Sequence, residues 1–174
     1  MLTKFTALVM GVLLSVSAMA ADMATADMAT LTRQAQSGGA VAQSDLADEY
    51  YQQGNHAKAF EWYTKAANQG EAEAQHNLGV MYYEGQGVRQ DYYKAVEWYT
   101  KAANQGYAGA QFNLALMYAQ GDGVRQDYHK AFEWFTKAAN QGLAEAQFSL
   151  GVMYDEGQGV RQDYYKAVEW YTKA

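Results

Sequence analysis

The chain has no cysteine and no proline among its 174 residues. Without cysteine there is neither a disulfide framework nor a lipid-modified cysteine to tether the chain, so stability has to come from packing. The lack of proline, together with abundant Ala, Gln, Glu and Lys, favours helices, and the 16 glycines stand at regular places that suggest helix ends. Basic residues are scarce as well: 13 Lys and Arg stand against 19 Asp and Glu, a net charge of -6 that argues against binding to phosphate backbones. Long apolar runs are missing except at the N-terminus. There Lys4 precedes an apolar run from Phe5 to Val16 and then Ala18-Met19-Ala20, a small-x-small pattern, so residues 1–20 read as a signal peptide. Nothing later approaches the roughly 18 to 20 apolar residues of a membrane span. The expected product is therefore exported, to the periplasm or beyond, and soluble.

What is present is a period. Trp62, Trp98, Trp134 and Trp170 recur every 36 residues, and a fixed spacing in this range marks a repeat architecture. Full copies run over residues 71–106 and 107–142, and a third over 143–174 lacks the Asn-Gln-Gly ending of the others. Within the first, Ala74, Leu78, Met81 and Tyr82 fall at i, i+4, i+7 and i+8, one face of a helix A. Gly85 and Gly87 then turn the chain, because glycine takes the left-handed conformation that closes a helix. Asp91 is placed to cap helix B, whose face carries Ala95, Trp98, Tyr99 and Ala102. Glu97 precedes Lys101 by four residues, a favourable surface order repeated at Glu61–Lys65, Glu133–Lys137 and Glu169–Lys173.

The copy over residues 39–70 matches at Leu46-Ala47 and Phe60-Glu61-Trp62-Tyr63 but lacks the Gly-Val-Arg-Gln turn, so its turn is four residues tighter. Upstream, Leu31-Thr32-Arg33 aligns with Tyr63-Thr64-Lys65, which predicts a half-repeat helix over residues 31–38 covering one end of the stack. Residues 21–30, with a tandem Ala-Asp-Met-Ala-Thr, read as a disordered tail. Gly79, Ala115 and Gly151 share one place in helix A, where a minimal side chain is expected to let the partner helix seat its tryptophan in the core.

Ala72-x-Ala74-Gln75, Leu78-Gly79-x-Met81-Tyr82, Gly85-x-Gly87-Val88, Asp91, Lys94-Ala95 and Trp98-Tyr99-x-Lys101-Ala102-Ala103 together resemble the Sel-one-like repeat family of the tetratricopeptide-like superfamily, over nearly all of residues 40–174. The resemblance implies an all-α, right-handed superhelical solenoid of antiparallel helix pairs, with the A helices on the concave side, and a general role as scaffold or adaptor. Some bacterial members are secreted, cysteine-rich proteins for which penicillin binding or β-lactam hydrolysis has been proposed, so a β-lactam-active enzyme is the alternative. The residues for such chemistry are missing. None of Ser37, Ser44 and Ser149 is followed three residues later by Lys, and neither a Lys-Thr-Gly triplet nor a Gly-x-Ser-x-Gly elbow occurs. His56, His76 and His129 are isolated, with no His-Glu-x-x-His spacing for zinc. No cofactor or metal is expected.

Recognition should then lie on the outward row of the A helices. With Leu78, Gly79 and Tyr82 inward, that row is Glu73, His76, Val80 and Tyr83. Its counterparts are Gly109, Phe112, Leu116 and Ala119, then Glu145, Phe148, Val152 and Asp155, with Ser44, Asp48 and Tyr51 in the first copy. Aromatic and aliphatic residues edged by acids suit an extended peptide or an amphipathic helix, best a basic segment with apolar anchors. The competing reading has Phe112 and Phe148 extending the core. Gln75, Asn77 and Asn113 are the expected partners of a peptide backbone, since a carboxamide donates and accepts. No polar capping helix follows Trp170, which leaves the last face available to a second copy or to further repeats.

Overall fold

A computed structural model describes residues 27–174; the expected signal peptide and residues 21–26 of the expected tail lie outside the described residues. Within them the chain is all-helical. A first helix, α1, covers residues 27–36. Four antiparallel pairs follow: α2 (Ala40–Gln52) with α3 (His56–Asn68), α4 (Ala72–Glu84) with α5 (Tyr92–Asn104), α6 (Ala108–Gln120) with α7 (Tyr128–Asn140), and α8 (Ala144–Glu156) with α9 (Tyr164–Lys173). Each of these helices packs on its chain neighbours, the arrangement of a solenoid. The even-numbered members are the A helices and α3, α5, α7 and α9 the B helices.

Residues 27–30 correct the expected tail, because α1 starts at or before Asp27 rather than at Leu31. The reason lies in the spacing of Met28, Leu31 and Ala35, which puts an apolar stripe on one face of that helix; Met28 and Leu31 are half-buried and Ala35 is fully buried.

Local chemistry fixes the helix ends. Asp91 and Asp127 each accept a hydrogen bond from the backbone N–H three residues on, at 3.1 Å, and Asp163 caps α9 in the same way. Asn55 does this for α3, whose connection from α2 is three residues against seven between α4 and α5. Gly85 (φ 73°) ends α4 in the left-handed region. Gly87 (φ 68°) has a second constraint: a Cβ there would lie 2.2 Å from the carbonyl oxygen of His56, so the A–B turn rests directly on the B helix of the preceding repeat.

The core is continuous and repetitive. Leu46, Leu78, Leu114 and Leu150 from the A helices and Ala59, Ala95, Ala131 and Ala167 from the B helices are buried, and Leu78, Leu114 and Leu150 share clusters with Ala59, Ala95 and Ala131 of the preceding repeat. The aromatic behind the minimal residue of helix A is the tyrosine and not the tryptophan: a Cβ on Gly79 would lie 2.6 Å from Cδ1 of Tyr99, and Tyr171 faces Gly151 likewise. Tyr63, Tyr99 and Phe135 are buried. The tryptophans are half-buried one step round the helix, where Trp98 packs against the cluster that joins Tyr63, Ala66 and Ala67 of the preceding repeat to Leu78 and Met81 of its own, and carries the Lys101 ammonium 3.9 Å from its ring centre. Two of the four expected Glu–Lys pairs close, Glu97–Lys101 at 2.8 Å and Glu169–Lys173 at 2.7 Å.

Glutamines join one repeat to the next. Buried Gln75 donates to the Ala67 carbonyl at 3.1 Å and accepts from Gln105 at 2.7 Å, while Gln105 also donates to the Gly70 carbonyl. Gln111 and Gln141 repeat the set one unit on. This overturns the expectation that Gln75 serves a peptide backbone: its amide and its carbonyl are already engaged inside the stack, as buried polar groups require.

Candidate functional site

Neighbouring A helices leave a groove between them, with the intervening B helix as its floor. Its best-formed part is a cavity of about 170 Å³ between α4 and α6. Val80 and Tyr83 form one wall, Leu116 and Asn113 the other, Tyr99 and Met117 the floor, with Glu84 and Gln120 completing the lining. Four expected site residues therefore converge: Val80, Tyr83, Asn113 and Leu116. Glu84 and Gln120 were not foreseen. They sit four residues beyond Val80 and Leu116, so carrying each row one helical turn further finds them.

Beside this cavity a hydrogen-bonded chain runs along the A helices. His76 Nδ1 and Asn77 Oδ1 are 3.2 Å apart, and His76 Nε2 and Asn113 Nδ2 are 3.0 Å apart. A neutral imidazole protonated on Nδ1 satisfies both contacts, donating to Asn77 and accepting from Asn113. Burial holds His76 below the ordinary imidazole range, with the Asn77 hydrogen bond opposing. The rings of Tyr107 and Tyr99 lie 5.0 and 5.8 Å from it. The Tyr63 hydroxyl donates to Asp48. His76, Asn77 and Asn113 thus form one hydrogen-bonded set across α4 and α6, and Asp48 of α2 pairs separately with Tyr63 of α3.

The other expected residues divide. Tyr51 donates to Gln86 and stands edge-on to the His56 ring at 4.8 Å, so it ties α2 to the turn of the next repeat rather than facing the groove freely. Phe112 is half-buried against Phe135, with ring centres 5.5 Å apart, and belongs to the core. Phe148, at the same place one repeat later, is 57% exposed. Val152 is half-buried and Asp155 exposed.

The electrostatics are one-sided. The A helices carry eight carboxylates, three in α2, two in α4, none in α6 and three in α8, and no lysine or arginine. Each B helix has two lysines against one glutamate. Burial raises the Asp48 and Glu73 carboxyls above their usual range, the Tyr63 hydrogen bond lowering Asp48 in part while Asp45 and Glu71 add to the rise in both. Among the described residues no cluster of His, Asp and Glu is placed to hold a metal ion, and no helix is long and apolar enough to cross a membrane.

Paired helices stacked on a continuous core, with a groove along one set, define a solenoid repeat protein of the tetratricopeptide-like class. Within that class the chain belongs to the Sel1 repeat family, which matches residues 40–71, 72–107, 108–143 and 144–174. The crystal structure of c5321, a protective antigen of uropathogenic Escherichia coli strains displaying an SLR fold, is similar at 44% identity and a TM-score of 0.81 over 84% of this chain. A Sel1 repeat protein from Oxalobacter formigenes is 36% identical, with a TM-score of 0.73 over 78% of the chain. The chain spans 32% of the first structure and 58% of the second. MamA, at 24% identity and a TM-score of 0.57, shares the fold, covered over 84% of this chain and 83% of its own. Comparison with curated proteins gives no match. Sel1 repeat proteins are generally interaction scaffolds and typically non-catalytic.

Proposed function

We propose that this protein is a non-catalytic scaffold that holds an extended segment of a partner protein in the groove of its A helices. The observation that carries this reading is the cavity between α4 and α6: an apolar recess on a fully buried floor, bordered by the carboxamides of Asn113 and Gln120. Protein-recognition sites combine an apolar pocket for an anchor side chain with polar groups that fix its orientation. Phe148, exposed at the place that Phe112 holds one repeat earlier, adds a further apolar side chain to the A-helix row.

The proposal includes export. Lys4, the apolar run from Phe5 and the Ala18-Met19-Ala20 pattern support a cleaved leader, and the N-terminal sequence of protein recovered from cells tests it. For the groove, the test is capture of a partner by the parent, by Leu116→Gln and by Lys101→Ala on the opposite face, each checked by circular dichroism. The groove variant should lose the partner and the Lys101 variant keep it; the reverse pattern moves the site to the B helices. Nitrocefin should not be turned over, and a hydrolysis rate above background that tracks the purified protein overturns the non-catalytic reading.

A further inference from the structure

We propose that the groove's occupant is a protein segment with a lysine or arginine beside one apolar anchor residue: the anchor enters the cavity between α4 and α6, and the cation meets Glu84 at its lip. The inference rests on the groove reading and adds the chemistry of the partner.

Size sets the first half. A cavity of about 170 Å³ is comparable to the ~150 Å³ apolar cavity that accepts benzene. It takes one branched aliphatic or aromatic side chain and no more. Val80, Leu116, Met117, Tyr83 and Tyr99 make up most of its lining, with Glu84, Asn113 and Gln120 completing it, so an apolar group with a polar or charged neighbour fits it best.

Charge sets the second half. Glu84 lines the same cavity, and Asp122 stands close enough, with Glu84, to push the Tyr83 hydroxyl further above its ordinary value after burial has raised it. Asp48, Glu71 and Glu73 act on Tyr107 in the same way at the other side of the groove. None of these carboxylates has a cation of its own chain within ion-pair distance, because among the described residues the ion pairs lie on the B helices. The A helices supply no lysine or arginine, and Arg89 lines a separate recess on the turn edge with Tyr82 and Lys94. A face with one sign of charge and no internal counter-ion raises the local concentration of the opposite sign and repels its own. An acidic or phosphorylated segment would be rejected on those grounds.

Binding of short, end-blocked, fluorescein-labelled peptides to the full chain tests this by anisotropy. One peptide has a central leucine flanked by arginines in a glycine–serine background. In the second the arginines are glutamates, in the third they are serines, and in the fourth the leucine is glycine. The arginine–leucine peptide should bind at least about tenfold tighter than the other three, and weaken as salt rises through the range where the Debye length falls below about 10 Å. Glu73→Gln with Glu84→Gln, both on exposed side chains, should weaken it several-fold and leave the helical circular dichroism unchanged. Equal binding of the serine-flanked peptide, or indifference to the glutamine variants, overturns the cation and leaves the groove standing. If no peptide binds, the inference falls; whether the groove reading falls with it is decided separately by Leu116→Gln in the capture experiment. In sedimentation, self-association abolished by the same glutamine variants would assign the groove to a second copy and overturn the proposal.

Discussion

At the scale of single residues, His76 shows how a site can look like recognition and serve cohesion. It occupies the place filled by Phe112 and Phe148 in later repeats, and its two ring nitrogens are taken up by Asn77 within α4 and by Asn113 from α6. Because burial lowers its proton affinity in the fold, its contribution to stability is complete above the unfolded imidazole value of 6.5. That contribution is lost as pH falls through the lower folded value. Replacing His76 by Phe, the residue the two later repeats use, should remove this dependence: the difference between parent and variant Tm values should change as pH drops from 8 to about 5, with the parent losing ground, and parallel curves would contradict the assignment. A second comparison concerns the aromatics of helix B. Tyr99 is buried behind Gly79, whereas Trp98 is half-buried, so Tyr99→Ala should cost about 3–5 kcal/mol and Trp98→Ala clearly less in urea unfolding. The sequence pointed the other way because the tryptophans mark the period most visibly, and periodic position does not distinguish two adjacent aromatic residues about 100° apart on a helix.

Whole elements were more legible than individual contacts. Helix B starts at Asp91, Asp127 and Asp163 followed from their capping chemistry, and the shorter first turn followed from four missing residues. The start of α1 was missed because its apolar stripe begins in a segment that reads as low-complexity, so the repeat alignment stopped at Leu31. The glycines also divide in a way that sequence does not reveal. Gly87 and Gly106 both have positive φ, but only at Gly87 would an added Cβ meet a neighbouring repeat, with the His56 carbonyl in the space it would take; a Cβ on Gly106 would face open space. Gly106→Ala should cost about 1–2 kcal/mol from backbone strain alone. Gly87→Ala adds a backbone collision, typically about 1–3 kcal/mol more, and should also loosen the junction between the first two repeats. Equal losses for the two substitutions in chemical denaturation would show that the turn does not bear on the preceding helix.

Over the whole molecule, stacking turns local repetition into two different faces. The repeats contribute buried Leu, Ala, Met and aromatic side chains to a core shared with their neighbours, and glutamines stitch the junctions. The B helices spread lysine over their exposed side, partly as cation–π contacts to the tryptophans, and the A helices are left acidic around an apolar cavity. The A-helix row was readable from helical spacing, and Val80, Tyr83 and Leu116 of that row line one recess together with Asn113. Spacing alone could not show that Tyr51 is bonded to Gln86 of the next repeat or Gln75 to Gln105 at the far end of its own, since those partners are 35 and 30 residues away in the chain.

The central claim is that the groove of the A helices is the binding face, and the most direct measurement is a map of backbone amide chemical shifts as the arginine–leucine peptide is titrated into the full chain. The account predicts that perturbations concentrate on α4 and α6 around Val80, Glu84, Asn113 and Leu116 and extend toward Phe148, while α5 and α7 change only where Tyr99 and its neighbours form the groove floor. Perturbations centred on the lysine–tryptophan side of the B helices, or on the turns around Arg89 and Arg125, would contradict it.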